Sequence, residues 1–145
     1  MQETLRLQGA VPGSLPRAVP SSGATLAGHH LPPGTVVCTQ SYTLHRNASI
    51  FLSPETFDPD RWLRPTPEMN QAFMAFGGGT RICIGMHLAR DEMRYAVARF
   101  FREFPEARCL ENEESMSQYA YFLMTPMGDQ CLVDLGVAGK SKVNA

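Results

Sequence analysis

The strongest periodic signal lies in the second half of the chain. Ala89, Met93, Ala96, Val97, Phe100 and Phe104 recur at spacings of three and four, which aligns one apolar face and predicts a helix over 86–104 that buries it, ended by Pro105. At the other end, QETLRL carries Glu3 and Arg6 at i and i+3 with no Gly or Pro between them, so residues 1–9 read as the tail of a helix. Gly9, Pro12, Gly13, Pro16, Pro20 and Gly23 then exclude helix and leave room for a short edge strand around Leu15 to Val19. ATLAG and TVVCTQ, apolar and β-branched, flank HHLPPG; residues 24–41 are therefore expected to pair as a β-hairpin, within a hairpin region spanning 15–41. Residues 42–75 alternate short helical turns with Asn, Ser-Pro and Asp-Pro breaks, which predicts a compact meander. A glycine-rich loop follows at 76–85. AYFLM and QCLVDL, separated by the turn-rich TPMGD, predict a final hairpin over 118–135, and residues 136–145 read as a disordered tail. Together these elements make a mainly α chain with small β-sheets, an α+β class.

Composition narrows the picture. A chain of 145 residues that is 43% hydrophobic and 19% charged has the make-up of one soluble globular domain. Thirteen Lys and Arg against fourteen Asp and Glu leave a formal charge of -1 without a basic run, so nucleic acid is not an expected partner. No stretch approaches the ~20 apolar residues that span a bilayer, and MQETLRLQGA lacks the apolar centre of a signal peptide. The chain is thus expected to carry no membrane anchor of its own and to be cytoplasmic if expressed. Its four cysteines include no C-x-x-C pair, which suits a reducing compartment. Cys38, Cys109 and Cys131 sit in apolar, strand-like text and read as small core residues.

Cys83 differs from them. It precedes a long helix by three residues, where backbone N–H groups and the helix dipole favour negative charge on sulfur. Gly77, Gly78 and Gly79 remove three successive side chains, which lets a large flat ligand approach the backbone. Arg81 adds a fixed cation able to hold a carboxylate with two parallel hydrogen bonds. Thiolate, cleared space and carboxylate clamp converge on haem. The competing readings fit less well. A zinc site on Cys83 and His87 lacks two nearby ligands, and no Lys-Ser/Thr follows the glycines as a phosphate loop requires. A buried free thiol explains neither the glycines nor the arginine.

Phe76, Gly79, Arg81, Cys83 and Gly85 satisfy all five fixed positions of F-x-x-G-x-R-x-C-x-G, a coincidence expected by chance about a few times in a hundred thousand chains of this length. The loop resembles the haem-binding loop of the cytochrome P-450 family. By that resemblance Cys83 is the axial iron ligand of haem b and the catalytic thiolate, and Phe76 shields its sulfur. Arg81 binds a haem propionate, and the amides of Ile84, Gly85 and Met86 donate toward the sulfur. Gly77, Gly79 and Ala89 complete the cofactor contacts. Glu3-Thr4-Leu5-Arg6 is similar to the family's E-x-x-R helix, and Phe57-Asp58-Pro59-Asp60-Arg61-Trp62 to the segment that supplies a third partner. The resemblance implies a structural ion triad of Glu3, Arg6 and Arg61. On its own, E-x-x-R is common and would be an exposed helix pair worth a few tenths of a kcal/mol. Arg17 falls where many members place a second propionate ligand.

The implied activity is a monooxygenase that acts on an apolar small-molecule substrate and dioxygen, with electrons from NADPH through a separate reductase. The segment from Gly23 to Leu63 looks most like eukaryotic, especially fungal, microsomal members. The parent protein is accordingly expected at the cytoplasmic face of the endoplasmic reticulum membrane. Members of the family run to several hundred residues, and the chain is expected to be the incomplete C-terminal, haem-binding part of the fold, inactive alone. Two further readings stand beside this one: a haem-binding module without catalysis, and a structural domain that binds no haem. Aerobic turnover with a reductase separates the first two, and an unchanged Cys83→Ala variant would favour the third.

Overall fold

A computed structural model of the chain describes residues 1–110, 118–120, 122–127 and 131–136. Two compact units form, one from residues 2–77 and the other from residues 78–145.

In the first unit, helix α1 (Gln2–Leu7) leads into strands β1 (Ser14–Ala18), β2 (Ala24–Leu26), β3 (His29–Leu31) and β4 (Val36–Gln40). TVVCTQ does pair antiparallel, but its partner is β1, with Arg17 opposite Val37 and Leu15 opposite Thr39. ATL pairs instead with HHL, Thr25 opposite His30. The expected 24–41 hairpin is therefore corrected to a small hairpin nested inside a wider β1–β4 pairing. Its tight turn is Ala27-Gly28, both left-handed at φ 49° and 81°, the geometry of a two-residue hairpin turn. Pro32-Pro33-Gly34 serves a different purpose: Gly34 N–H donates to Val19 O at 3.0 Å and Val19 N–H to Thr35 O at 2.8 Å, returning the chain to β1.

The meander after β4 contains helix α2 (Ser41–His45), a 3-10 turn (Pro59–Trp62) and helix α3 (Pro67–Ala72). Thr66 caps α3 by accepting from Met69 N–H at 3.2 Å, with Pro67 pre-set at the first helical position. Met69 and Ala72, one turn apart, consequently share a face and join Phe51 in the core, against Leu44, Ile50 and Trp62.

In the second unit a 3-10 turn (Gly79–Arg81) precedes helix α4 (Met86–Glu103), whose 18 residues match the predicted span. Phe104 N–H makes the last helical bond, to Phe100 O at 2.8 Å, and Pro105 has no N–H to continue it. The expectation that α4 buries its apolar face is corrected: Ala96 and Val97 are exposed, and none of its residues is fully buried. Periodicity specifies an apolar stripe on a helix without specifying that its covering partner lies in the same 145 residues.

The terminal hairpin is also corrected. Strand β6 (Gln118–Ala120) pairs with β7 (Met124–Pro126), so the residues expected as a turn, Thr125 and Pro126, are strand. Strand β8 (Val133–Asp134) pairs with β5 (Arg108–Cys109), a two-residue strand too short to carry a periodic signal. Cys38 and Cys109 are exposed and Cys131 is half-buried, so none is the expected core residue. Of the expected tail only Gly136 lies among the described residues. Within those residues, no helix is long and apolar enough to cross a membrane.

Candidate functional site

The first unit is organised around one carboxylate. Glu3 and Arg6 lie one turn apart on α1 and are both fully buried. Arg6 Nη2 donates to Glu3 Oε1 at 2.7 Å and Arg6 Nε to Oε2 at 2.9 Å, a two-pronged pair. Arg61, from the Pro59–Trp62 turn, reaches Oε1 through Nε at 3.0 Å, and the Asp58 backbone N–H reaches the same oxygen at 3.0 Å. Trp62 Nε1 completes Oε2 at 2.8 Å. Burial alone would push the Glu3 carboxyl pKa up; the bonds from Arg6, the Asp58 amide and Trp62, with the Arg6 charge, overcome it and hold the group at about 2.

Arg6 is saturated. Its remaining donors go to His45 O at 2.7 Å, Pro54 O at 2.6 Å and Thr56 O at 3.2 Å, so all five N–H groups of the guanidinium are engaged, and Phe51 lies 5.2 Å from its centre. The carbonyls of residues 45, 54 and 56 thus all accept from a cation rooted in α1, and the meander is fastened to the helix.

His45, buried and stacked on Phe73 at 5.4 Å between ring centres, is a second fastening. Its Nε2 lies 2.8 Å from the Met74 backbone nitrogen, which can only donate, so Nε2 accepts. The other nitrogen, Nδ1, then carries the hydrogen and donates to Arg6 O at 2.9 Å. Burial and the charges of Arg6 and Arg46 lower the His45 pKa, against the opposing bond to Arg6 O, and favour this neutral tautomer. Through His45 the helix of Glu3 holds the backbone at Met74, where the chain approaches Phe76 and Gly77. Gly77 N–H donates back to Met74 O at 2.9 Å in a tight turn, with Phe76 half-buried.

In the second unit, Gly79 has φ +63° with open space where a side chain would stand, and Gly77, at the end of the first unit, has φ +74°. Both conformations are left-handed and favour glycine. Ile82 N–H closes the Gly79–Arg81 turn onto Gly79 O at 3.2 Å, which leaves Arg81 exposed, with no hydrogen bond or ion pair to its guanidinium among the described residues. Cys83 and Ile84 are exposed as well. The Met86 amide, expected on the sulfur, goes to the Cys83 carbonyl at 3.2 Å, because the chain turns through residues 83–86 to enter α4. Gly85 caps that helix, and a β-carbon at Gly85 would lie 3.9 Å from Cys83 Sγ, in ordinary contact. An exposed cysteine at a helix N-terminus, an exposed guanidinium with no carboxylate partner among the described residues and an open glycine turn are chemically suited to haem.

Of the residues singled out in the sequence, Glu3, Arg6 and Arg61 are brought together directly. Arg81, Cys83, Ile84, Gly85 and Ala89 share the second unit, whereas Phe76, Gly77 and Arg17 belong to the first. Arg17 is exposed on β1 and donates to its neighbour Pro16 O at 2.8 Å. Two contributors escaped the sequence reading, Trp62 and His45. Trp62 is the chain's sole tryptophan, and an indole N–H that enters a core requires an acceptor, a signal that was available.

The model of the family described as cytochrome P-450 matches residues 1–133. A cytochrome P-450 monooxygenase of Aspergillus terreus, tazI, is 54% identical over 140 residues, covering 93% of this chain and 29% of that protein. Another from Aspergillus niger, orf2, is 49% identical, covering 91% of this chain and 28% of its own length. Among solved structures, the retinoic acid-bound cyanobacterial CYP120A1 superposes with a TM-score of 0.75 at 28% identity, over 91% of this chain and 30% of its own. The chain therefore spans less than a third of the length of these relatives.

Proposed function

The chain belongs to the cytochrome P-450 family, and on that premise we propose that it forms the haem-binding part of a haem-thiolate monooxygenase, in which the Cys83 sulfur would hold the iron. The observation that carries this is the F-G-G-G-T-R-I-C-I-G loop of residues 76–85, which presents an exposed Cys83 three residues before α4. Bound haem supplies dioxygen activation and transfer of one oxygen atom to an apolar C–H bond, with electrons from NADPH through a separate reductase. The residues of this chain bind and tune it. Cys83 would hold the iron through its sulfur, three residues before α4. By the family resemblance Arg81 and Arg17 would each hold a propionate of haem b. By the family resemblance Phe76 would shield the sulfur side, Gly77 and Gly79 would keep the approach clear, the Ile84 and Gly85 amides would donate toward the sulfur, and Ala89 would complete the cofactor contacts. Amide donors to a thiolate ligand withdraw charge from it and so set the iron's potential. The ion lock of Glu3, Arg6 and Arg61 holds the fold and does no chemistry. The substrate is an apolar small molecule, a class to which the retinoic acid of the cyanobacterial neighbour belongs. We place the whole protein at the endoplasmic reticulum, as the resemblance to microsomal fungal members suggests.

Haem added to the full chain, then reduced under carbon monoxide, should give the strongly red-shifted Soret band of thiolate ligation. Retention of that band in Cys83→Ser or Cys83→His would overturn the assignment. The chain's share of its relatives' length favours haem binding by these residues and turnover by the whole protein. Aerobic assay with a reductase separates the two: a spectrum without product is the expected result for the chain alone.

A further inference from the structure

Two thiols outside the Cys83 loop are brought together by the fold. Cys109 ends β5 opposite Val133 of β8, and Leu110 N–H extends the pairing to Leu132 O at 2.9 Å. Side chains alternate along a strand, so Cys131, two residues before Val133, returns to the face that Cys109 occupies and becomes its diagonal neighbour. The two Sγ atoms lie 3.9 Å apart although 22 positions separate them in sequence. Both can be reached from solvent, Cys109 being exposed and Cys131 half-buried. No cluster of His, Cys, Asp or Glu suited to a metal exists among the described residues, so the pair is a dithiol in its own right.

We propose that Cys109 and Cys131 are a thiol–disulfide exchange site that reacts with small disulfides of the oxidised-glutathione class and closes into an intrachain disulfide. Cys109 is the entry sulfur because it is the more exposed. Its thiolate attacks one sulfur of the small disulfide; a mixed disulfide forms, and the first small thiolate leaves to take a proton from solvent. The thiol of Cys131 has its pKa raised by its hydrogen bond with Cys109, by burial and by the Cys109 charge, which leaves it the second sulfur to react. It then loses the proton to solvent and attacks Cys109 Sγ, and the second small thiol departs. The two protein thiols give up two electrons and two protons, and the small disulfide receives them. Closure draws the sulfurs in to about 2 Å, a change that side-chain rotation can deliver between strands already paired. The product pins the segment after α4 to the last strand, and excess small thiol reverses it.

The test is exposure of the reduced full chain, without denaturant, to oxidised glutathione, followed by alkylation and peptide mass spectrometry. The expected result is a linked Cys109–Cys131 peptide pair as the one protein disulfide formed, with the exposed Cys38 and Cys83 recovered as alkylated thiols or as single glutathione adducts. Cys131→Ser should stop at a glutathione adduct on Cys109, and Cys109→Ser should react several-fold more slowly at Cys131. The same reaction in denaturant gives the statistical spread of pairings among the four cysteines. A native chain showing that same spread, a lasting glutathione adduct on Cys109 or Cys131 of the unsubstituted chain, or no reaction at either residue would overturn the proposal.

Discussion

Trp62 gives its indole hydrogen to Oε2 of Glu3 at 2.8 Å, on the same oxygen that Arg6 Nε meets at 2.9 Å. One carboxylate thereby joins a helix at residue 3, a turn at residues 59–62 and, through Arg6, the carbonyls of residues 45, 54 and 56. Loss of the carboxylate charge would leave two guanidinium groups facing each other, Arg6 with no carboxylate partner among the described residues and Arg61 with only Asp58, 3.9 Å away. Glu3→Gln should cost about 3–5 kcal/mol, whereas Trp62→Phe, which keeps the ring near Phe51 and Phe73, should cost about 1.5–3 kcal/mol. Urea midpoints rank the two, and a larger loss for Trp62→Phe would count against the carboxylate as the organising group.

Arg6→Lys preserves charge but replaces five fixed donors by three mobile ones. The carbonyls of Pro54 and Thr56 compete with Glu3 for what remains. The variant should lose about 2–4 kcal/mol, at two or more orphaned acceptors of 1–3 kcal/mol each. A midpoint within error of the parent would show that charge alone suffices there.

Acid should weaken the fold in two stages. Because the His45 pKa is lowered on folding, the unfolded chain takes up a proton near the ordinary value of about 6.5 that the folded chain resists, so stability falls as pH drops below that point. Glu3 acts lower down. Its carboxyl lies at about 2 in the fold against an ordinary 4.5, so its contribution, about 3 kcal/mol, is complete above 4.5 and is lost as pH falls toward 2. Urea midpoints measured down the pH scale should show both declines, and His45→Gln should remove the upper one while lowering stability throughout. A flat profile between neutral pH and about 5 would refute the neutral buried His45.

The left-handed turn at Gly79 has open space around it, so a substitution there pays only in backbone conformation. Gly79→Ala should cost about 1–2 kcal/mol and Gly79→Asn less, since Asn tolerates that region. Urea midpoints test the order Gly, Asn, Ala; an Ala variant equal to the parent would mean that the turn relaxes.

Much of the site could be read along the chain. The ten-residue loop around Cys83, the helix after it and the residue types at 3, 6 and 61 are local facts, each encoded within a few neighbouring positions. Helix α4 begins and ends where its apolar period and Pro105 require. Other features were out of reach for a physical reason. Strand partners are chosen by which edges meet after the chain has closed, so TVVCTQ could not announce β1 as its partner, nor Val133 the short β5.

Amino-acid order alone thus singled out the candidate residues: a thiol before a helix, a cation two positions earlier, glycines where the backbone turns left-handed, a carboxylate and an arginine one turn apart. Tertiary structure decided who meets whom across long separations. It placed Trp62 on Glu3, His45 between Arg6 and Met74, and Cys109 against Cys131. Spacing and propensity act over a turn or a strand, whereas a buried donor or acceptor takes whatever partner the closed chain brings within about 3 Å.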